Sequence, residues 1–328
     1  MVLIKSISGI RGTIGGEPGN NLTPQDVVSF TAAFGTWVIQ KSSREIISMV
    51  VGRDARISGE MVENLVVSTL TGLGIDVILL GLATTPTVEM AVTEKKASGG
   101  IIITASHNPA QWNALKLLNH MGEFISAEDG EEVLRLASGQ SFKYSPYDKL
   151  GKIIPDTDFV QIHYQKIVDL ERVDRDVIKQ AGFKIVVDGI NSVGGVAVPG
   201  LLRKLGVDDI IEINCNPDGM FDHNPEPVPG NLSALSQAVT RHSADLGLAV
   251  DPDVDRLVIV CEDGSMFGEE YTLVSVADYI LKNEPGNTVS NLSSTRALKD
   301  ITEQYGCEYF AAPVGEFNVV KKMKEVKK

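Results

Sequence analysis

The chain repeats one pattern, and that repetition limits its fold more than any other feature. A short strand-like run ends in a polar turn. A helix-period stretch follows, then a second run, a second helix, a third run and a polar motif. In the first copy the runs are Ile46–Val51, Asp76–Leu80 and Ile101–Ile103, with helices from Gly59 to Leu73 and from Pro86 to about Lys96. In the second they are Phe183–Val187, Ile210–Ile213 and Leu246–Val250, with helices to about Lys204 and from an Asn231 cap to about His242. A third copy starts at Thr288, with a helix to about Tyr305, a run at Glu308–Ala311 and a Lys-rich helix after Gly315. Gly74, Gly206 and Gly306 close helices at equivalent places, where a left-handed residue is needed. Strands alternating with helices form layered α/β domains.

The repeats divide the chain at 1–151, 152–256 and 257–328. From strand end to motif the first copy takes 55 residues (51 to 106) and the second 64 (187 to 251), so the third motif would fall beyond residue 328. The third unit is therefore expected to be incomplete, as in a fragment. Outside the repeats, Thr23-Pro24 opens a helix to about Gln40, with Thr as cap and Pro in the first turn. Asp129–Leu136 reads as a helix, Ser141–Pro155 as a loop with one strand, and Asp156–Leu170 and Glu171–Gln180 as helices joining the first two units. Val258–Phe267 reads as a hairpin around Asp263-Gly264.

Two strand-end motifs carry chemistry. Gly99-Gly100-Ile101-Ile102-Ile103 is a buried strand, and Thr104-Ala105-Ser106-His107-Asn108-Pro109 is the turn after it. Ligands of open α/β sheets bind beyond the carboxyl ends of strands, so the Ser106 hydroxyl, beside an imidazole and an amide, is placed to meet one. In the second copy the strand ends in Asp251-Pro252-Asp253-Val254-Asp255-Arg256. Read as an extended loop, alternation puts the three carboxylates on one side. Packed together they repel, and a hard divalent cation resolves this. Few protein oxygens with room left for phosphate suit Mg²⁺.

Net charge is −13. That argues against nucleic acid as a partner and leaves an anionic substrate to local arginines and lysines. No apolar run reaches the ~20 residues of a membrane span, and the N-terminus lacks an apolar signal core, so a cytoplasmic protein is expected. The three cysteines are widely spaced and match no metal pattern.

If equivalent strand ends share one cleft, Ser106, the aspartates and the loops at Arg11, Arg53 and Ser293 meet there. A serine beside a divalent ion and several arginines is a phosphoryl site. Lys116, in an amphipathic strand, is open to two readings: an exposed hairpin lysine, or a desolvated one with a lowered pKa acting as general acid and base.

These motifs resemble those of the α-D-phosphohexomutase superfamily, which includes phosphoglucomutase/phosphomannomutase and phosphoglucosamine mutase. Thr104–Pro109 is identical to the family's phosphoserine loop. Gly9-Ile10-Arg11-Gly12 and Gly52-Arg53-Asp54 resemble two further loops. Asp251–Arg256 resembles the metal loop, usually Asp-Gly-Asp-x-Asp-Arg, with Pro252 in place of the first glycine. The resemblance implies tandem three-layer α/β/α domains with mixed sheets, the third incomplete and a fourth absent. It implies interconversion of hexose 1-phosphate and 6-phosphate through a phosphoserine and a bisphosphorylated sugar. Catalysis would fall to Ser106, Lys116, Arg11 and His107. Ser106, Asp251, Asp253 and Asp255 would hold Mg²⁺. Arg256, Asn108, Arg53 and Glu316 would bind the phosphorylated hexose or hexosamine. Two alternatives stand beside this: a fragment that binds metal and phosphosugar without turnover, and a phosphatase with Asp251 as nucleophile. Faces exposed by a missing domain would favour homo-oligomers.

Overall fold

The computed structural model describes residues 3–6 and 9–326, so the outer ends of the first and third sequence divisions lie outside it. The first unit contains β1 (Leu3–Ser6), β2 (Gly9–Thr13), α1 (Pro24–Lys41), β3 (Ser48–Arg53), α2 (Gly59–Gly72), β4 (Asp76–Leu82), α3 (Thr85–Glu94), β5 (Gly99–Ile103), β6 (Trp112–Leu118), α4 (Ala127–Gly139) and β7 (Ile153–Pro155). Its strands form a seven-stranded sheet in the order β1-β2-β6-β5-β3-β4-β7. β5, β3, β4 and β7 run parallel, while β6, β2 and β1 pair antiparallel.

Side-chain alternation along β5 explains the three layers. Ile101 and Ile103 pack with Phe34 and Val38 of α1, Val66 and Leu70 of α2, and Val133 of α4. Ile102 faces the other way, against Val88 and Val92 of α3. The two glycines before the isoleucines let neighbours come close: a Cβ on Gly100 would lie 2.7 Å from Val92 Cγ2. Thr23 caps α1 and Asp26 completes a capping box, as the Thr-Pro start leads one to expect.

The second unit contains α5 (Phe159–Val168), α6 (Arg175–Ala181), β8 (Lys184–Asp188), α7 (Gly194–Leu205), β9 (Asp209–Ile213), α8 (Ser233–His242), β10 (Leu246–Val250) and β11 (Leu257–Cys261). Its sheet runs β11-β10-β8-β9. The third contains α9 (Glu269–Asn283), β12 (Thr288–Asn291), α10 (Ala297–Gln304), β13 (Tyr309–Ala312) and α11 (Glu316–Val326), with β12 and β13 parallel. α5 bridges the first two units. Phe159 completes the α3 side of the first core, and Tyr164 donates to the Ala197 carbonyl of α7 at 2.9 Å.

Several local expectations change. β7 pairs with β4, and β11 pairs antiparallel with β10. The first two sheets therefore run past the divisions drawn at 151 and 256. The expected hairpin around Asp263-Gly264 does form: the Cys261 amide donates to the Ser265 carbonyl at 2.8 Å, the Phe267 amide donates to the Ile259 carbonyl at 3.0 Å, and Val260 bridges Met266 antiparallel. Asn231 does not cap α8: it ends a 3₁₀ turn, and its side chain donates to the Glu226 carbonyl at 2.7 Å. α9 has no counterpart among the sequence expectations, although Val274 and Leu281, seven residues apart, bury one stripe of it.

Candidate active site

The Ser106 turn follows β5, and its backbone is unusual. Ser106 has φ +48, a left-handed conformation that costs a non-glycine residue roughly 1–3 kcal/mol and persists only where its surroundings enforce it. Two groups fix it. The Ser106 amide donates to Thr104 Oγ1 at 3.0 Å, and Thr104 Oγ1 donates to Asp54 Oδ2 at 2.6 Å. The Ser106 carbonyl accepts from Arg56 Nη2 at 2.5 Å. The hydroxyl then donates to Asp251 Oδ2 at 2.6 Å and lies 3.2 Å from His107 Nδ1. Ser106 and Asp251 stand 145 residues apart in sequence, so this contact joins the first and second units.

The aspartate loop converges, but not by strand alternation. The chain turns after β10: the Val254 amide donates to the Asp251 carbonyl at 3.1 Å, and Val254 takes φ +61. A β-branched residue there is a genuine outlier. Pro252, restricted to negative φ, leaves that strain to Val254. Asp251 Oδ1 accepts the amides of Asp255 and Arg256, each at 3.1 Å. Carboxylate oxygens of Asp251, Asp253 and Asp255 lie within 4.8 Å of one another. Asp251 and Asp253 are fully buried. Burial, and next the other two aspartates, push the Asp251 carboxyl well above the usual range.

Lys116 settles its two readings. It is only 8% exposed, and Nζ lies 2.6 Å from Asp253 Oδ2 and 2.9 Å from Asp255 Oδ2. Burial alone would lower its pKa, but the two carboxylates outweigh burial and raise it. The burial that the desolvated reading calls for is therefore present, but its lowered pKa is reversed in direction, which favours the ammonium. The same contact holds Asp253 below the carboxylate range although burial opposes it, with Thr85 Oγ1 donating to Asp253 Oδ2 at 2.6 Å.

A divalent cation fits this donor set. Asp253 Oδ1 is buried and has no hydrogen-bond partner, a costly state for a carboxylate oxygen. Asp251, Asp253, Asp255 and the Ser106 hydroxyl supply only oxygen, as Mg²⁺ prefers.

Around this centre, Arg11 Nη1 donates to Asn108 Oδ1 at 3.4 Å. Arg256 is half-buried, with Nη1 3.8 Å from Glu226. Burial first, then the charge of Arg256, lowers the His107 pKa and favours neutral imidazole. Glu316, at the solvent-exposed start of α11, is raised by desolvation from the protein around it and feels the charge of Lys116. It also lines a groove of about 460 Å³ whose wall includes Phe124, which sits under Lys116 with Nζ 5.8 Å from the ring centroid. Arg53 is not in this group. Its guanidinium turns back to Glu63 at 3.3 Å and to the Asp54 carbonyl at 3.1 Å. Ser293 bonds within its own turn, to Asn291.

The arginine of that strand end that reaches the serine turn is Arg56. Its side chain is fully buried. It binds Asp54 Oδ2 through Nε, the carbonyls of Pro109 and Trp112 through Nη1, and those of Ser106 and Asn108 through Nη2. From the sequence, a Gly-Arg-Asp-Ala-Arg run at a strand end offers two arginines, and nothing local says which one turns inward.

The chain matches three family descriptions in order: "Phosphoglucomutase/phosphomannomutase, alpha/beta/alpha domain I" at residues 4–143, domain II at 162–264 and domain III at 268–327. It is 34% identical over 319 residues to a phosphoglucomutase/phosphomannomutase of Thermococcus kodakarensis, covering 97% of this chain and 68% of the relative. It is 32% identical over 320 residues to a protein of Methanopyrus kandleri named probable phosphoglucosamine mutase, covering 97% and 67%. The crystal structure of a phosphoglucomutase/phosphomannomutase family protein from Burkholderia thailandensis superposes with a TM-score of 0.85 at 26% identity, over 99% of this chain and 70% of that one. The chain thus spans about two thirds of the length of these relatives.

Proposed function

Because this chain belongs to the phosphoglucomutase/phosphomannomutase family of the α-D-phosphohexomutases, we propose that it exchanges a phosphoryl group between Ser106 and a phosphorylated hexose or hexosamine, the chemistry by which hexose 1-phosphate and 6-phosphate interconvert. The observation that carries this reading is the 2.6 Å contact between Ser106 Oγ and Asp251 Oδ2. It sets a nucleophilic oxygen directly on a carboxylate cluster suited to a divalent ion. Asp251, Asp253, Asp255 and Ser106 would hold that ion, and Mg²⁺ when bound would neutralise charge on phosphoryl oxygens.

The chain's own residues do the rest. A sugar hydroxyl attacks the phosphorus on Ser106. A new sugar O–P bond forms as the Oγ–P bond breaks, the hydroxyl gives up its proton, and Ser106 Oγ takes one. His107, held neutral and 3.2 Å from Oγ, is placed to pass that proton. The return step moves the second phosphoryl group from the bisphosphorylated sugar to Oγ. Lys116 enters as an ammonium that donates and balances charge, the acid half of the general acid and base role read from the sequence. Arg11 and Arg256 offset the anionic charge, with Asn108 steadying Arg11. Glu316, which feels the charge of Lys116 and lines the neighbouring groove, is assigned to the sugar.

The test is a coupled mutase assay on this chain with Mg²⁺ and a hexose 1,6-bisphosphate activator. Turnover that disappears in Ser106→Ala supports the reading, and a variant that keeps near-normal turnover refutes it. Intact mass and peptide mapping separate the phosphatase alternative: phosphate stable on Ser106 supports the mutase, whereas a hydroxylamine-labile phosphate on Asp251 supports the phosphatase. Binding of Mg²⁺ and phosphosugar without turnover would leave the binding half alone.

A further inference from the structure

Arg56 uses its whole hydrogen-bonding capacity within one turn. A guanidinium has five N–H donors in a fixed plane. Here they meet five acceptors: Asp54 Oδ2 at 3.0 Å and the carbonyls of Pro109 at 2.8 Å, Trp112 at 3.1 Å, Ser106 at 2.5 Å and Asn108 at 2.6 Å. Asp54 is buried at 0% exposure and cancels the charge. It also accepts from Thr104 Oγ1, which in turn accepts the Ser106 amide. Both backbone groups of Ser106 therefore lead to one carboxylate: the carbonyl through Arg56, the amide through Thr104. On its outer face Arg56 is covered by Phe221 of the second unit, 5.1 Å from guanidinium carbon to ring centroid.

We propose that Arg56 is a positioning residue, which with Asp54 and Thr104 holds Ser106 in its left-handed conformation and so aims the hydroxyl at Asp251. Arg56 touches no reacting atom; it acts through the backbone on either side of the nucleophile. A planar array of carbonyl acceptors explains the residue type, because a lysine has three donors around one point and cannot span them. The phosphoryl-transfer part of this inference rests on the proposed function.

The experiment measures phosphoryl uptake by Ser106 from a hexose 1,6-bisphosphate, followed by intact mass, together with crystal structures of the variants. In Arg56→Lys the maximal uptake rate is expected to fall at least tenfold, while the half-saturating bisphosphate concentration shifts less than twofold. Thr104→Val removes only the hydroxyl between Asp54 and the Ser106 amide. It keeps the buried arginine and so tests the network even if Arg56→Lys does not fold. Its maximal rate is expected to fall severalfold, with Thr104→Ser rescuing it. In the crystals of Thr104→Val, Ser106 should leave the left-handed region and lose its contact with Asp251. The inference is overturned if folded Arg56→Lys keeps its maximal rate within twofold. It is equally overturned if Thr104→Ser falls as far as Thr104→Val, or if Ser106 keeps its conformation in the Thr104→Val crystal. Failure of the parent chain to take up phosphate would instead count against the proposed function, and the Ser106 conformation in the crystals would then decide the positioning role alone.

Discussion

Replacing Lys116 by methionine keeps most of the side-chain volume and removes one charge from the centre of the site. Asp253 is at 0% exposure, and its Oδ2 lies 2.6 Å from Lys116 Nζ. Breaking a buried pair by removing one partner costs about 3–5 kcal/mol, because the remaining charge stays out of water. For a cooperative unit of this size, each kcal/mol lowers Tm by roughly 2–4 °C, so a fall of about 6–20 °C follows. The loss depends on pH with a definite sign. Without the ammonium, burial and the neighbouring aspartates raise the folded-state pKa of the cluster above the unfolded value, as already seen for Asp251. Such a group penalises folding increasingly as pH rises above the unfolded pKa. The variant should therefore melt closest to the parent near pH 4 and furthest below it at pH 8. Mg²⁺ should raise Tm more in the variant than in the parent, since the ion no longer competes with an ammonium for the same carboxylates, and stabilisation by a ligand follows its affinity for the folded state. Calorimetric melts at both pH values, in EDTA and in millimolar Mg²⁺, read all of this. A variant melting within 2 °C of the parent in EDTA at pH 8, or equal Mg²⁺ shifts in both, would refute the reasoning.

His223 Nε2 donates to Asp188 Oδ2 at 3.1 Å, and that contact lifts its pKa although burial opposes the shift. A raised histidine stabilises below its unfolded pKa and loses that contribution as pH rises through the folded value, so His223→Gln should cost more in urea midpoint at pH 5.5 than at pH 9. Glu89 on α3 carries a buried, unpartnered Oε1, and burial, then Glu316, push it to about 8. The parent should lose stability relative to Glu89→Gln as pH climbs from 4.5 to 8, and urea titrations across that range check the slope. Gly219 has φ +73, and a Cβ there would lie 2.0 Å from the Ala55 carbonyl of the first unit. Gly219→Ala should therefore destabilise by at least the roughly 1–3 kcal/mol of left-handed strain, seen as a lower denaturation midpoint.

What could be read from the sequence was local. β5 announces itself by an apolar run between glycines and a proline, and the serine follows it directly. The aspartates are close in sequence, so their convergence needed only a turn, although the turn proved to hinge on Val254 rather than on strand alternation. Partners far apart in sequence were not legible. The protonation state of Lys116 is set by Asp253, 137 residues away. Arg53 and Arg56 are three residues apart and chemically alike. Only the assembled turn, with Phe221 arriving from the second unit, shows that Arg56 goes inward while α2 takes Arg53 through Glu63. α9 was hidden because its half-buried face spreads apolar residues around the helix: Leu273, Val276 and Ile280 are all more than 40% exposed. That blurs the stripe a sequence pattern relies on.

Ser192 couples the two loops mechanically. Its hydroxyl accepts the Ala55 amide at 3.2 Å from the first unit and donates to the Pro252 carbonyl at 2.7 Å in the aspartate loop. One oxygen thus pins the loop bearing Arg56 to the loop bearing Asp251. Rotation about a pin displaces each atom in proportion to its distance from it. Because this pin lies beside the chemistry, a displacement elsewhere in the second unit has only a short lever arm on the gap between Ser106 and Asp251.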